Sequence, residues 1–139
     1  MDQKSTMLSS VPLFAGCGTG DLREIGQLTD EVSVPAGKVL AKEGGTAHEF
    51  FVILDGSVEI SRNGKRVRTL GPGDFFGELA MLGKVPRTAT ATTTAPSRLV
   101  VLGHREFMTL LAEHPGIQQK VLMNVATWIA NAEPKRTAS

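Results

Sequence analysis

Tyrosine is absent from this sequence, and cysteine and tryptophan occur once each, as Cys17 and Trp128. A lone thiol makes no internal disulfide and cannot by itself hold a structural zinc. The three histidines, His48, His104 and His114, never fall in an H-x-H or H-x-x-x-H pattern. A histidine metal cluster would therefore need assembly from distant segments; solvated or internally satisfied histidines are the simpler reading, and no metal is expected. Charge of one sign is also lacking: 15 Lys and Arg face 14 Asp and Glu, a formal net charge of +1. That balance argues against a chain whose affinity comes from nucleic-acid phosphates. No apolar run approaches the ~20 residues of a membrane span. The opening Met1-Asp2-Gln3-Lys4 lacks the charged-then-apolar profile of a signal peptide. The expectation is a soluble, cytoplasmic domain that binds neither nucleic acid nor membrane.

What is present suffices for one core. The 139 residues are 41% hydrophobic, and a chain of this length typically forms one domain that buries about two-thirds of its unfolded surface. Three zones follow one another. In residues 1–28, Leu8, Val11, Leu13 and Phe14, then Leu22, Ile25 and Leu28, recur at helical spacing. Gly16 to Gly20 interrupts them, and Thr19 or Asp21 is placed to cap the second helix. In residues 29–103, short β-branched and aromatic runs alternate with Gly, Pro, Asp55-Gly56 and Asn63-Gly64, the latter pairs suited to tight hairpin turns. The runs are Val32 to Val34, Val39-Leu40, Phe50 to Leu54, Val58 to Ile60, Val67 to Leu70, Thr88 to Thr94 and Arg98 to Leu102. Phe75 to Leu82 reads as a short helix within this β zone. In residues 104–133, Phe107, Leu110 and Leu111 are followed by a His114-Pro115-Gly116 break. Val121, Leu122, Val125, Trp128 and Ile129 then mark a last apolar-faced helix. Residues 134–139 form a polar tail. The pattern predicts an α+β domain: a β-roll or jelly roll (a double-stranded β-helix) of about eight strands, with N-terminal helices and two C-terminal helices.

Two glycine-rich stretches are decoys. Gly16-Cys17-Gly18-Thr19-Gly20 has its third glycine one position early for a dinucleotide loop, and no strand precedes it. Gly83-Lys84 is followed by Val85 where a Walker loop needs Ser or Thr. The informative stretch is Gly73-Asp74-Phe75-Phe76-Gly77-Glu78-Leu79-Ala80, followed after six residues by Arg87-Thr88-Ala89. Glu78 is a carboxylate in an apolar run, and burying it is unfavourable by several kcal/mol unless donors meet it. Gly77 permits close backbone approach, and a helix starting there turns free N–H groups towards an anion. With the Arg87 guanidinium, these groups suit a phosphate joined to a hydroxylated sugar. A Glu78–Arg87 salt bridge in an ordinary loop fits the same spacing.

The segment resembles the phosphate-binding cassette, residues 76–89 here, of the cyclic nucleotide-binding domain family, whose members include cyclic AMP receptor proteins and protein kinase A regulatory subunits. Val11 to Phe14, Val34-Pro35-Ala36-Gly37, Phe51 to Val58 and Leu70 to Asp74 resemble the family pattern in the same order, so the likeness covers about residues 8–114. The resemblance implies that Glu78 accepts a hydrogen bond from the ribose 2′-hydroxyl and that Arg87 pairs with the cyclic phosphate. It implies that Gly77, Leu79, Ala80 and Ala89 shape the cassette and supply backbone donors, and that Ile60 and Val67 wall the base side. Thr88 occupies a position where cyclic GMP binders often carry Thr, although cyclic AMP binders also have it. Trp128 is either a lid over the base, a packing residue of the last helix, or a dimer contact.

The implied function is reversible binding of a cyclic nucleotide, cyclic AMP first and cyclic GMP as the alternative, by a sensor that repositions its C-terminal helices. Leu79 or Leu82 against Phe107 is the expected hinge contact. No paired carboxylates or nucleophile–base set suggests an enzyme. No helix-turn-helix, kinase or channel segment follows Ile129. The partner is then an effector domain or protein, or a second copy through the C-terminal helix. A nucleotide-independent interaction module of the same fold, and a small cupin-type metalloenzyme, are the readings from other classes.

Overall fold

A computed structural model describes residues 3–46, 48–83 and 86–132, with the side chains of residues 79, 80, 83, 128, 129, 131 and 132 also outside the description. The polar tail at 134–139 therefore lies outside the described residues. The chain opens with α1 (Gln3–Ser9), a 3-10 turn (Pro12–Phe14) and α2 (Thr19–Gln27). Proline starts the 3-10 turn, where its missing N–H is no loss. The α2 cap is Gly18 rather than Thr19 or Asp21. Asp21 contributes from the third helical position, where its Oδ2 accepts the Gly18 N–H at 3.3 Å.

Eight strands follow: β1 (Asp30–Val34), β2 (Val39–Ala41), β3 (Glu49–Asp55), β4 (Val58–Arg62), β5 (Lys65–Leu70), β6 (Phe75–Phe76), β7 (Thr90–Thr93) and β8 (Ser97–Gly103). They form two four-stranded antiparallel sheets, ordered β1-β8-β3-β6 and β2-β7-β4-β5. The β4–β5 turn is Asn63-Gly64, with φ of 54° and 77°. Two successive positive φ values are what a hairpin twisting with its strands requires.

The runs at β3 and β8 are continuously apolar because both faces of this strand pair are buried. Side chains alternate sides along a strand. Phe50, Val52, Val100 and Leu102 pack against Leu8, Phe14, Ile25, Phe107 and Leu110 of the helical layer. Phe51, Ile53, Leu99 and Val101 point inward between the sheets, against Val58, Ile60, Leu70 and Ala91. One helix expectation is corrected here: Phe75 and Phe76 are strand, paired with Val52 and Phe51, and α3 (Glu78–Gly83) begins only after Gly77. Each aromatic serves a different core. Phe76 stacks on Phe51 at 4.8 Å between the sheets, while Phe75 meets Phe50 at 5.6 Å on the helical side.

Two helices close the described chain, α4 (His104–Glu113) and α5 (Pro115–Ala132). The break between them narrows to His114, whose carbonyl accepts the N–H groups of Ile117 and Gln118, both at 3.0 Å. Pro115 sits at the start of α5, where proline is tolerated. Phe107 of α4 stacks on Phe50 at 4.5 Å, so β3 carries α4. Leu82 packs against the same cluster. Phe50→Ala should therefore destabilise the fold by about 3–5 kcal/mol. Urea denaturation should show a lower midpoint with the slope unchanged.

Candidate functional site

The site forms where β6 stops. Gly77 turns the chain at φ 99°, and a Cβ on it would stand 2.7 Å from Arg87 Nη1 and 3.0 Å from the Glu49 carbonyl oxygen. Only glycine gives both the backbone conformation and the clearance. Glu78 follows as the first residue of α3, 5% exposed. Arg87, 7% exposed, comes from the irregular segment before β7. Its backbone is pinned on both sides: its N–H donates to Gly45 at 2.9 Å, and its carbonyl accepts the Gly44 N–H at 2.8 Å.

These two charged residues do not pair with each other. Arg87 Nη2 donates to the Glu49 carbonyl at 2.6 Å, and its Cζ lies 5.9 Å from the centre of the Phe51 ring. Glu78 Oε1 accepts from Asn124 Nδ2 of α5 at 2.7 Å. Arg87 Nη1 and Glu78 Oε2 are both buried and have no hydrogen-bond partner. Of the two readings left open by the spacing, the ordinary Glu78–Arg87 salt bridge is thus absent. Burial holds the Glu78 carboxyl above its usual range, opposed by its own backbone N–H, by Asn124 and by the charges of Arg68 and Arg87. Burial also draws Arg87 below its ordinary value, opposed by Glu49 and Glu78.

Both residues line one cavity of about 70 Å³, partly open to solvent. Glu78, Arg87, Thr88, Arg68 and Asn124 supply its polar atoms; Ile60, Leu70, Phe75, Phe76, Ala89 and Ala91 supply apolar wall. Of the residues anticipated from sequence, Gly77, Glu78, Arg87, Thr88, Ala89 and Ile60 meet here. The side chains of Leu79, Ala80 and Trp128 lie outside the described residues, so the Trp128 lid and the Leu79 hinge contact carry no observation.

Val67 is a correction. It is 46% exposed and does not line the cavity. The β4–β5 register shifts between Ile60 and Ser61, with Ile60 opposite Arg68 and Ser61 opposite Arg66. Val67 is therefore the extra residue of a β-bulge, and Arg68, cross-strand from Ile60, takes the inward face. Asn124 also escaped the sequence reading. Its one signal is a polar side chain set between Val121 and Val125 on a helix otherwise presenting apolar residues there. Glu49 also accepts Arg87 through its carbonyl, which no side-chain pattern reveals.

Burying Glu78 gives a pH signature. Its pKa is raised on folding, so the native state holds the proton to higher pH than the unfolded chain, and stability falls as pH rises through that window. Without ligand, Glu78→Gln should melt higher than the wild type at pH 7–8. The difference should shrink on acidification towards the unfolded carboxylate value of about 4, as thermal melts across pH 4–8 would show.

Comparison with known proteins converges on the same region. The family description "Cyclic nucleotide-binding domain" matches residues 31–114, which include all of the cavity lining except Asn124. A provisionally named potassium channel protein of Rhodopseudomonas palustris is 37% identical over 120 residues, covering 84% of this chain and 29% of that protein. A cAMP-dependent protein kinase regulatory subunit of Mycosarcoma maydis is 32% identical over 122 residues, covering 81% and 23%. Among solved structures, cAMP-bound PfPKA-R superposes with a TM-score of 0.83 at 28% identity, covering 91% of this chain and 44% of that one. The chain spans between 23% and 32% of the length of the curated relatives it matches. With its two-sheet roll, its terminal helices and this matched segment, the chain belongs to the cyclic nucleotide-binding domain family.

Proposed function

We propose that the cavity binds cyclic AMP in preference to cyclic GMP, and that the chain is a non-catalytic sensor that passes occupancy to an effector through α5. One observation carries this reading: a buried guanidinium nitrogen, Arg87 Nη1, and a buried carboxylate oxygen, Glu78 Oε2, both lack partners at one cavity. A buried donor and a buried acceptor left unmade are each costly. A phosphate satisfies the first, and a sugar hydroxyl satisfies the second. A cyclic nucleotide carries both groups on one rigid ring system. Gly77 lets the phosphate approach, the first-turn N–H groups of α3 at Leu79 and Ala80 have no intrahelical partner, and Ile60 and Ala89 offer apolar wall to the base. The cAMP-bound relative at 28% identity supports cyclic AMP.

A second reading has its own observation. Thr88 lines the cavity, and its hydroxyl is a partner for the 2-amino group that only guanine has, which favours cyclic GMP. The effector is a separate matter, since the relatives that match include both channel and kinase-regulatory proteins. Leu122 and Met123 are 53% and 62% exposed on α5, an apolar edge for an effector or a second copy of this chain. Among the described residues no helix is long and apolar enough to cross a membrane, and Cys17 is a free thiol. Both features suit a domain working in the cytoplasm.

Calorimetric titration with both nucleotides tests the reading. Arg87→Ala should lose about 30-fold to several thousand-fold in affinity, the roughly 2–5 kcal/mol of a broken buried charge contact. Glu78→Ala should lose less, because its partner is a neutral hydroxyl. Wild-type affinity in Arg87→Ala, with an unchanged circular dichroism spectrum, would remove the phosphate role. Thr88→Ala should weaken cyclic GMP more than cyclic AMP, and a clear cyclic GMP preference in the wild type would reverse the assignment of the base.

A further inference from the structure

A carboxylate only accepts hydrogen bonds, through two oxygens. At Glu78 the two oxygens have different fates: Oε1 takes the Asn124 amide at 2.7 Å, and Oε2 is buried with nothing on it. Asn124 lies 46 positions away, on a helix outside the roll, yet it lines the same cavity. The other charges around this carboxylate are Arg68 of β5 and Arg87, with Glu49 of β3 acting on Arg87. Neither arginine hydrogen-bonds Glu78 among the described contacts, so Asn124 is the side chain that orients it.

Resting on the cyclic-nucleotide reading, we propose that Asn124 is a positioning residue for sugar recognition: by holding Oε1 it presents Oε2 to the ligand's 2′-hydroxyl. The amide and the hydroxyl do not compete, because each oxygen has its own donor. The amide donation also favours the ionised carboxylate. An ionised carboxylate takes a hydroxyl proton donor, whereas a protonated one offers a proton of its own. Asn124 therefore sets both the direction and the acceptor character of the sugar site. Because it stands on α5, the grip on the sugar depends on where that helix lies.

The test compares cyclic AMP with 2′-deoxy cyclic AMP, which differ only in the hydroxyl at issue. Affinities are measured for the wild type, Asn124→Ala, Asn124→Asp and Glu78→Gln, with circular dichroism confirming the fold of each. The wild type should prefer cyclic AMP. Asn124→Ala should lose about tenfold for cyclic AMP, the scale of one hydrogen bond to a charged group, with little change for the deoxy analogue, so the preference narrows. Asn124→Asp, which sets a second carboxylate against Glu78, should narrow it further. Equal losses for both ligands would make Asn124 a packing residue of α5 and overturn the proposal. Tighter cyclic AMP binding in Asn124→Ala would show that the amide blocks the sugar, and would overturn it too. No binding of either nucleotide by the wild type would instead defeat the cyclic-nucleotide reading, and this proposal with it.

Discussion

The β3–β8 pair is the wall on which both halves of the molecule are built. Each strand alternates large apolar side chains to its two faces, so one ladder of hydrogen bonds supports the inter-sheet core and the helical core together. Nothing in such a pair can slip by one residue without exchanging the two cores. The same strand also reaches the site. Glu49 opens β3, and its carbonyl receives Arg87; Phe51, two residues on, lies beneath the guanidinium. Phe50, between them, carries Phe107 of α4. Three consecutive residues thus tie the buried arginine, the inter-sheet core and the C-terminal helices to one element.

Against that background, the site holds its charged groups in an unfavourable state. Both Glu78 and Arg87 are withdrawn from water, both have pKa values displaced against their charged forms, and neither neutralises the other by contact. Both line one cavity without meeting each other. Gly77 keeps the space beside Arg87 clear: any side chain there would push against the Arg87 guanidinium or the β3 backbone.

Much of this was legible in the residue pattern because the relevant physics is local. Turn chemistry at Asn63-Gly64, apolar runs at Phe50 to Leu54 and Arg98 to Leu102, and helical spacing at both ends all correspond to elements of the structure. The misreadings arise where local period and tertiary context disagree. Phe75-Phe76 joins a helix-favouring run, yet pairing with β3 draws both aromatics into strand before Gly77 reverses the chain. Val67 is a wall residue only in what the family resemblance implies; in β5 Arg68, on the same face as Leu70, takes that place and Val67 is left exposed. Asn124 is one asparagine on an amphipathic helix, and its partner is 46 positions distant; no periodicity connects them.

The hold on α5 has a mechanical consequence. Lys120 Nζ donates to the carbonyls of Pro12, Leu13 and Ala15 at 2.9, 3.4 and 3.3 Å, fastening the helix to the 3-10 turn. At 1.5 Å per residue, Asn124 stands roughly 6 Å beyond that fastening and Ala132 roughly 18 Å beyond it. A pivot at Lys120 would have Asn124, on the Glu78 carboxylate, at its short radius and the far end of the helix at about three times that distance. A tilt about that point that moved Asn124 by one unit of distance would move the far end by about three.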